Sequence, residues 1–248
     1  MIPKIIHYVW VGNADKPELV QRCIASWQKH LPDYQIVEWN NDSVKALDNS
    51  YMQQAFAAGK WAFVSDYLRL YALYQQGGFY FDTDLEVTAD LEVFRQHSFV
   101  TGFEKFKNRL APVTALMGAC AQNTVIEKLL RPYDTKQFTT ADGQYDLTPN
   151  TGLISEIFSR EFGLIKPYRD DNITKLAADA VIYPSHYFCT PRPDYPSYAI
   201  HHFNGSWFEE YRRKLLLYLA GYQLLRLKRN KVRTGELPLK KGERKIAL

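Results

Sequence analysis

The chain has 248 residues, 46% of them hydrophobic and 15% aromatic, enough apolar material for one sizeable core without demanding two domains. Cys23, Cys120 and Cys189 are odd in number, far apart and form no C-x-x-C pair, which argues against a disulfide framework or zinc knuckle and fits a reducing cytoplasm. The net charge of +4 is unevenly placed: Arg212 to Leu248 holds 12 Lys+Arg against 2 Asp+Glu, leaving 19 bases against 25 acids before it.

The start, Met1-Ile2-Pro3-Lys4-Ile5-Ile6, has neither a basic leader nor a long apolar run, so no secretory signal is expected. No stretch approaches the roughly 18 consecutive apolar residues of a membrane span. Lys4 to Val11 is rich in β-branched and aromatic residues and stops at Gly12-Asn13, which predicts a first buried strand. Pro17 suits a helix start, and Val20, Cys23, Ile24 and Trp27 then recur on one helical face until Leu31-Pro32-Asp33. Tyr34 to Trp39 reads as a second strand closed by Asn40-Asn41-Asp42-Ser43. Strand, helix, strand predicts a parallel sheet with helices on its faces.

A helix is predicted from Trp61 to Gln76, with Val64, Tyr67, Leu68 and Tyr71 on one side and Ser65, Asp66 and Arg69 on the other. Gly77 ends it, and Phe79-Tyr80-Phe81 reads as a core strand delivering Asp82 and Asp84 to its end. Alternation along a strand turns both carboxylates the same way, and such a pair repels unless a hard cation such as Mn²⁺ or Mg²⁺ lies beside it. Further strands are predicted at Phe99–Phe103, Val113–Met117 and Val181–Tyr183, and helices at Asn123–Leu130 and Thr151–Phe162. Phe138–Asn150 and the proline-rich Phe188–Tyr198 read as long loops, and Asp142, Asp146, Asp170 and Asp171, all in loop-like stretches, are acceptor-facing candidates. After a last strand at Tyr198–Ile200, His201, His202, Asn204, Ser206 and Trp207 crowd a turn. Adjacent histidines on a strand face opposite ways, so at most one joins the carboxylates.

Three segments together resemble glycosyltransferase family 32, the DXD-containing sugar transferases, here of the bacterial capsular or surface polysaccharide type. They are Ile2 to Gly12, Trp61 to Arg69 continuing through Gly77 to Asp84, and His201 to Trp207. The resemblance implies a GT-A fold: an α/β nucleotide-sugar-binding domain over 1–210, its mostly parallel central sheet flanked by helices. A helical, basic, amphipathic extension over 211–248 completes the expectation. It implies a retaining hexosyltransferase that uses Mn²⁺ or Mg²⁺ and a nucleotide sugar, UDP-hexose in preference to GDP-mannose. Trp10 would stack on the base beside Val9; Asp66 and Arg69 would hold the sugar and its phosphates, with Ser65 nearby. Asp82 would reach ribose or metal, Asp84 would bind the metal, His202 in preference to His201 would complete the shell, and Ser206 and Trp207 would close over the diphosphate. No carboxylate nucleophile stands out, which favours front-face substitution assisted by the leaving phosphate.

The acceptor implied is a glycan, often lipid-linked, and the basic tail at 212–248 would either rest on an anionic membrane from the cytoplasmic side, pack on the core as a helix with a solvated polar end, or form a dimer interface. Nucleic-acid binding is not expected, since no aromatic residues interleave a basic surface. Two other readings compete. A haloacid-dehalogenase-like phosphatase would use Asp82 as nucleophile, but Glu86 stands where Thr or Val is usual; a sugar-binding module would lack turnover. A calcium loop fails because Val87 and Val93 replace the needed Gly and Glu.

Overall fold

The computed structural model describes residues 1–106, 109–169, 171–204, 214–219 and 222–228. Two compact units divide the chain, Met1–Asn204 and Gly205–Leu248. The first opens with β1 (Ile5–Val9), α1 (Glu18–His30) and β2 (Gln35–Trp39). Two short helices follow, α2 (Asn41–Ala46) and α3 (Ser50–Ala57), where only a strand-closing turn was expected. The Asn40 side chain accepts from the backbone N–H groups of Asp42 and Ser43, so the polar run that reads as a turn is a helix N-cap. Then come α4 (Trp61–Gln76), β3 (Gly78–Phe81), β4 (Leu85–Val87), β5 (Phe99–Phe106), β6 (Arg109–Ala119), α5 (Thr124–Leu130) and α6 (Asn150–Phe162). The unit closes with β7 (Thr174–Ala177), β8 (Ala180–Tyr183), α7 (Ser185–Phe188) and β9 (Ala199–His201).

Seven strands form the main sheet in the order β2-β1-β3-β6-β5-β8-β7. β1 runs parallel to both β2 and β3, and β5 parallel to β8, while β6 and β7 run against their neighbours. Five of the seven strands therefore share one direction, and the sheet is mostly parallel, flanked by helices. Its two reversals come from the tight β5–β6 and β7–β8 connections, too short for the crossover that parallel pairing requires.

Strand alternation sorts the core into two layers. Ile6, Tyr8, Phe79 and Phe81 pack toward Cys23 and Trp27 of α1, whereas Val9 and Tyr80 pack toward Val64 and Leu68 of α4. His7 belongs to the sheet's structure: it is fully buried, its Nε2 donates to Gly77 O at 2.8 Å and its Nδ1 accepts from Trp39 Nε1 at 3.1 Å. Burial lowers its pKa, which keeps the ring neutral. Gly78 must be glycine, because its φ is +98° and a Cβ would lie 2.6 Å from Ile5 O.

β1 links through α1 to β2 on one side, and the chain then crosses back to place β3 on the other side of β1. Such a reversal opens a crevice beyond the carboxyl ends of the two central strands. The register pairs His7 with Tyr80, so Val9 is level with Asp82 at that crevice.

The tail expected to be helical is described only in part, and that part is an antiparallel hairpin of β10 (Lys214–Leu219) and β11 (Tyr222–Lys228). Leucine runs satisfy a helical and an alternating period equally. Among the described residues no helix is long and apolar enough to cross a membrane.

Candidate active site

Asp82 and Asp84 converge for a reason other than strand alternation. β3 ends at Phe81, and Leu85 N donates to Asp82 O at 3.0 Å, so the two carboxylates lie on a tight turn. α1 supports the chain after the turn: Trp27 Nε1 donates to Leu85 O at 2.7 Å, and Val87 N to Ser26 Oγ at 2.9 Å.

α4 supplies one wall. Asp66 and Arg69, one turn apart, are both buried, with Arg69 Nη2 3.3 Å from Asp66 Oδ1 and 3.3 Å from Asp82 Oδ1. Ser65 holds the guanidinium from behind through its carbonyl and its hydroxyl, each at 3.1 Å. The Tyr80 ring lies 4.7 Å beneath it, and the Tyr80 hydroxyl donates to Asp82 Oδ1 at 2.8 Å. Tyr80 can do this because residues two apart leave the strand on one side. Burial raises the Asp66 pKa to about 6 against the pull of Arg69, and burial together with Asp84 raises that of Asp82.

Asn150 completes this wall, and the sequence reading missed it. It opens α6, is buried, and its Nδ2 donates to Asp66 Oδ1 at 3.2 Å. That contact fixes the amide orientation, since the carboxylate needs a donor. Its Oδ1 is then buried without a hydrogen-bond partner, an acceptor aimed at no protein donor among the described residues. In sequence Asn150 closes the Phe138–Asn150 loop, and no local pattern marks its polar role.

The other wall is the two-stranded pairing of β4 with β9, in which Leu85 lies opposite His201. His201, in place of the expected His202, faces the carboxylates: its Nε2 is 3.4 Å from Asp84 Oδ1. His202 points the other way and bonds Glu86 Oε2 at 2.7 Å, although its backbone N–H donates to Asp84 O at 3.0 Å. Strand parity separates the two rings, but only the β4–β9 register says which one turns inward. Asn204 N donates to Asp84 Oδ2 at 2.8 Å. Burial alone would raise the Asp84 pKa; His201 and the Asn204 N–H outweigh it and lower it. Burial likewise opposes charge on His201, but Asp84, Cys189 and Glu104 together lift its pKa well above the usual value.

Ligand atoms of Asp82, Asp84 and His201 all lie within 4.8 Å of one another. Two carboxylate oxygens and an imidazole nitrogen at that spacing suit Mn²⁺ or Mg²⁺. The donor set fits a divalent cation.

Val9 and Trp10 occupy the carboxyl end of β1. Trp10 is half-buried, its Nε1 donates to Ala14 O at 3.0 Å, and Lys16 Nζ lies 5.8 Å from its ring centroid. Asn41 braces the following turn, accepting from Gly12 N at 2.8 Å and donating to Gly12 O at 3.2 Å. Ser206 and Trp207 lie outside the described residues, as does Asp170. The other acceptor-facing candidates are engaged locally: Asp142 with Thr140 and Gln144, Asp146 with Lys136 and Thr148, Asp171 with Ser185.

Residues 17–100 match the glycosyltransferase sugar-binding region containing the DXD motif. The match covers about a third of the chain, from α1 to the start of β5, and includes Asp66, Arg69 and the Asp82-Thr83-Asp84 turn. A DXD region on this geometry supports a glycosyltransferase. Comparison with curated proteins gives no match. Among solved structures, the chain is similar to the PaToxG glycosyltransferase, at 19% identity and a TM-score of 0.48 over 65% of this chain and 70% of that one. It is also similar to the apo-form glycosyltransferase GlyE of Streptococcus pneumoniae TIGR4, at 10% and 0.38 over 63% and 43% of the two chains. The ligand-free glycosyltransferase domain of the YGT toxin gives 12% and 0.34 over 67% and 69%.

Proposed function

We propose that the chain is a metal-dependent, retaining glycosyltransferase of the GT-A, family 32 type. It moves a hexose from a nucleotide sugar, UDP-hexose in preference to GDP-mannose, to a glycan acceptor. The observation that carries this reading is one continuous arrangement at the carboxyl edge of the sheet: Asp66, Arg69 and Asp82 linked through a buried guanidinium, and Asp82, Asp84 and His201 gathered at cation-binding distance.

Departure of the leaving group builds negative charge on a diphosphate and oxocarbenium character in the sugar ring. Asp84 and His201 would hold the cation, Asp82 would reach it or the ribose, and when bound it supplies Lewis-acid stabilisation of the leaving diphosphate. Arg69 supplies fixed positive charge that is already desolvated, and Ser65 and Tyr80 keep it from turning away. Asp66 and the free Asn150 Oδ1 would accept hydrogen bonds from sugar hydroxyls, which fixes the ring against the leaving group. Trp10 beside Val9 would stack on the base, and Ser206 and Trp207, assigned from the sequence alone, would close over the diphosphate.

The phosphatase reading leaves unexplained the α4 wall, in which Arg69 joins Asp66 to Asp82. Front-face substitution, with the leaving phosphate taking the acceptor proton, accounts for retention without a protein nucleophile. The basic 212–248 segment favours a lipid-linked surface or capsular polysaccharide intermediate as acceptor, with the enzyme peripheral on the cytoplasmic face of the membrane; each base near an anionic surface contributes about 1 kcal/mol.

The test is Mn²⁺-dependent release of nucleoside diphosphate from a panel of UDP- and GDP-sugars. One donor is turned over by the wild type, and Asp84→Ala lowers the rate on the order of a thousandfold, the equivalent of about 4 kcal/mol of lost metal stabilisation. Cleavage of a generic phosphomonoester with no donor turnover would replace this reading with the phosphatase.

A further inference from the structure

We infer that Glu104 is the positioning residue for His201, the carboxylate that holds the imidazole so that Nε2 faces the cation seat. The inference rests on the cation reading above and adds a residue from a different part of the fold. Glu104 lies on β5, whereas the three ligands come from the β3–β4 turn and β9.

His201 is constrained on every side. Its side chain is 11% exposed, its backbone N–H donates to Cys189 O at 3.0 Å, and the Phe203 ring packs on it with centroids 4.1 Å apart and planes 32° from parallel. Phe203 adopts a φ of +50°, a conformation a bulky residue holds only when its surroundings enforce it. With the ring so clamped, Nε2 faces Asp84 at 3.4 Å and Nδ1 is buried with no hydrogen bond. The group facing that nitrogen is Glu104 Oε2, at 3.5 Å.

An imidazole offers a metal the lone pair of one nitrogen only while the other carries the ring proton. A carboxylate at that second nitrogen fixes the tautomer and the ring plane and makes the ligating nitrogen more basic. Glu104 stands where that partner is required, its Oε2 3.5 Å from Nδ1. The neighbouring His202–Glu86 pair at 2.7 Å faces away from the seat and serves as an internal control.

The experiment is Mn²⁺ titration of the full chain, with metal alone, reading free Mn²⁺ by electron paramagnetic resonance. Glu104→Ala weakens binding roughly 10- to 100-fold. Glu104→Gln, whose amide oxygen accepts the same proton, recovers most of the affinity, and Glu86→Gln binds as the wild type does. Wild-type affinity in Glu104→Ala overturns the inference, as does a Gln variant as weak as Ala, which would mean a charge effect or direct ligation. A wild type that binds no Mn²⁺ overturns the cation reading itself, a separable result. Should Glu104→Ala not fold, the ¹⁵N resonances of His201 in the Mg²⁺-loaded wild type decide: a protonated Nδ1 supports the assignment, and a protonated Nε2 overturns it.

Discussion

The helix wall and the histidine wall of the site carry the same kind of side chain in opposite electrostatic states. On the helix wall, buried Asp66 and half-buried Asp82 flank Arg69, and desolvation pushes both carboxyl groups up. On the histidine wall, Asp84 is just as enclosed but is held down by His201 and by the Asn204 N–H. The difference lies in the permanence of the positive partner. A guanidinium stays charged and in place at any physiological pH, so the helix wall is a finished charge network. An imidazole can give up its charge and present a lone pair, so the histidine wall is built to exchange one cation for another.

Removing the permanent partner is the severest way to break that contrast. Arg69→Ala leaves buried Asp66 and half-buried Asp82 without their shared cation and is expected to cost about 3–5 kcal/mol of stability, a melting shift of roughly 10 °C for a chain of this size. Arg69→Lys should restore little activity, because a point charge cannot reach Ser65, Asp66 and Asp82 together. Calorimetric melts that leave Arg69→Ala as stable as the wild type would show the network to be solvated instead.

The exchangeable partner predicts a different pattern. His201→Ala should lower Mn²⁺ affinity at least tenfold, and His202→Ala should leave Mn²⁺ affinity unchanged, as read by isothermal titration. Equal losses would erase the distinction between the two rings.

A subtler effect sharpens the helix wall. The folded-state pKa of Asp66 is about 6, above its ordinary value, so the stability it contributes is present in acid and is lost as pH rises through about 6. Metal-free wild type should therefore lose stability relative to Asp66→Asn between about pH 4 and 6, by up to roughly 3 kcal/mol. Urea melts across that range check it; parallel curves for the two proteins would contradict the burial of an ionisable Asp66.

Much of this was legible before any coordinates. The Trp61–Gln76 helix and the aromatic strand after it follow from local period and composition, whereas the gathering of Asp66, Arg69 and Asp82 at one site came only from the family resemblance. Pairing between distant segments was not legible. The choice of His201 over His202 depends on the register of β9 against β4, the reversals of β6 and β7 depend on which strands become neighbours, and the Asn150 contact spans 84 residues. The 214–228 stretch misled because its leucines fit two periods.

The account stands or falls on where the cation goes. Crystals grown with Mn²⁺ and UDP, measured at the manganese edge, should show one anomalous peak bound by Asp84 Oδ1 and His201 Nε2, with Asp82 beside it and the diphosphate on its open side. A peak at His202 and Glu86, or no peak with UDP clearly bound beside Arg69, would contradict it.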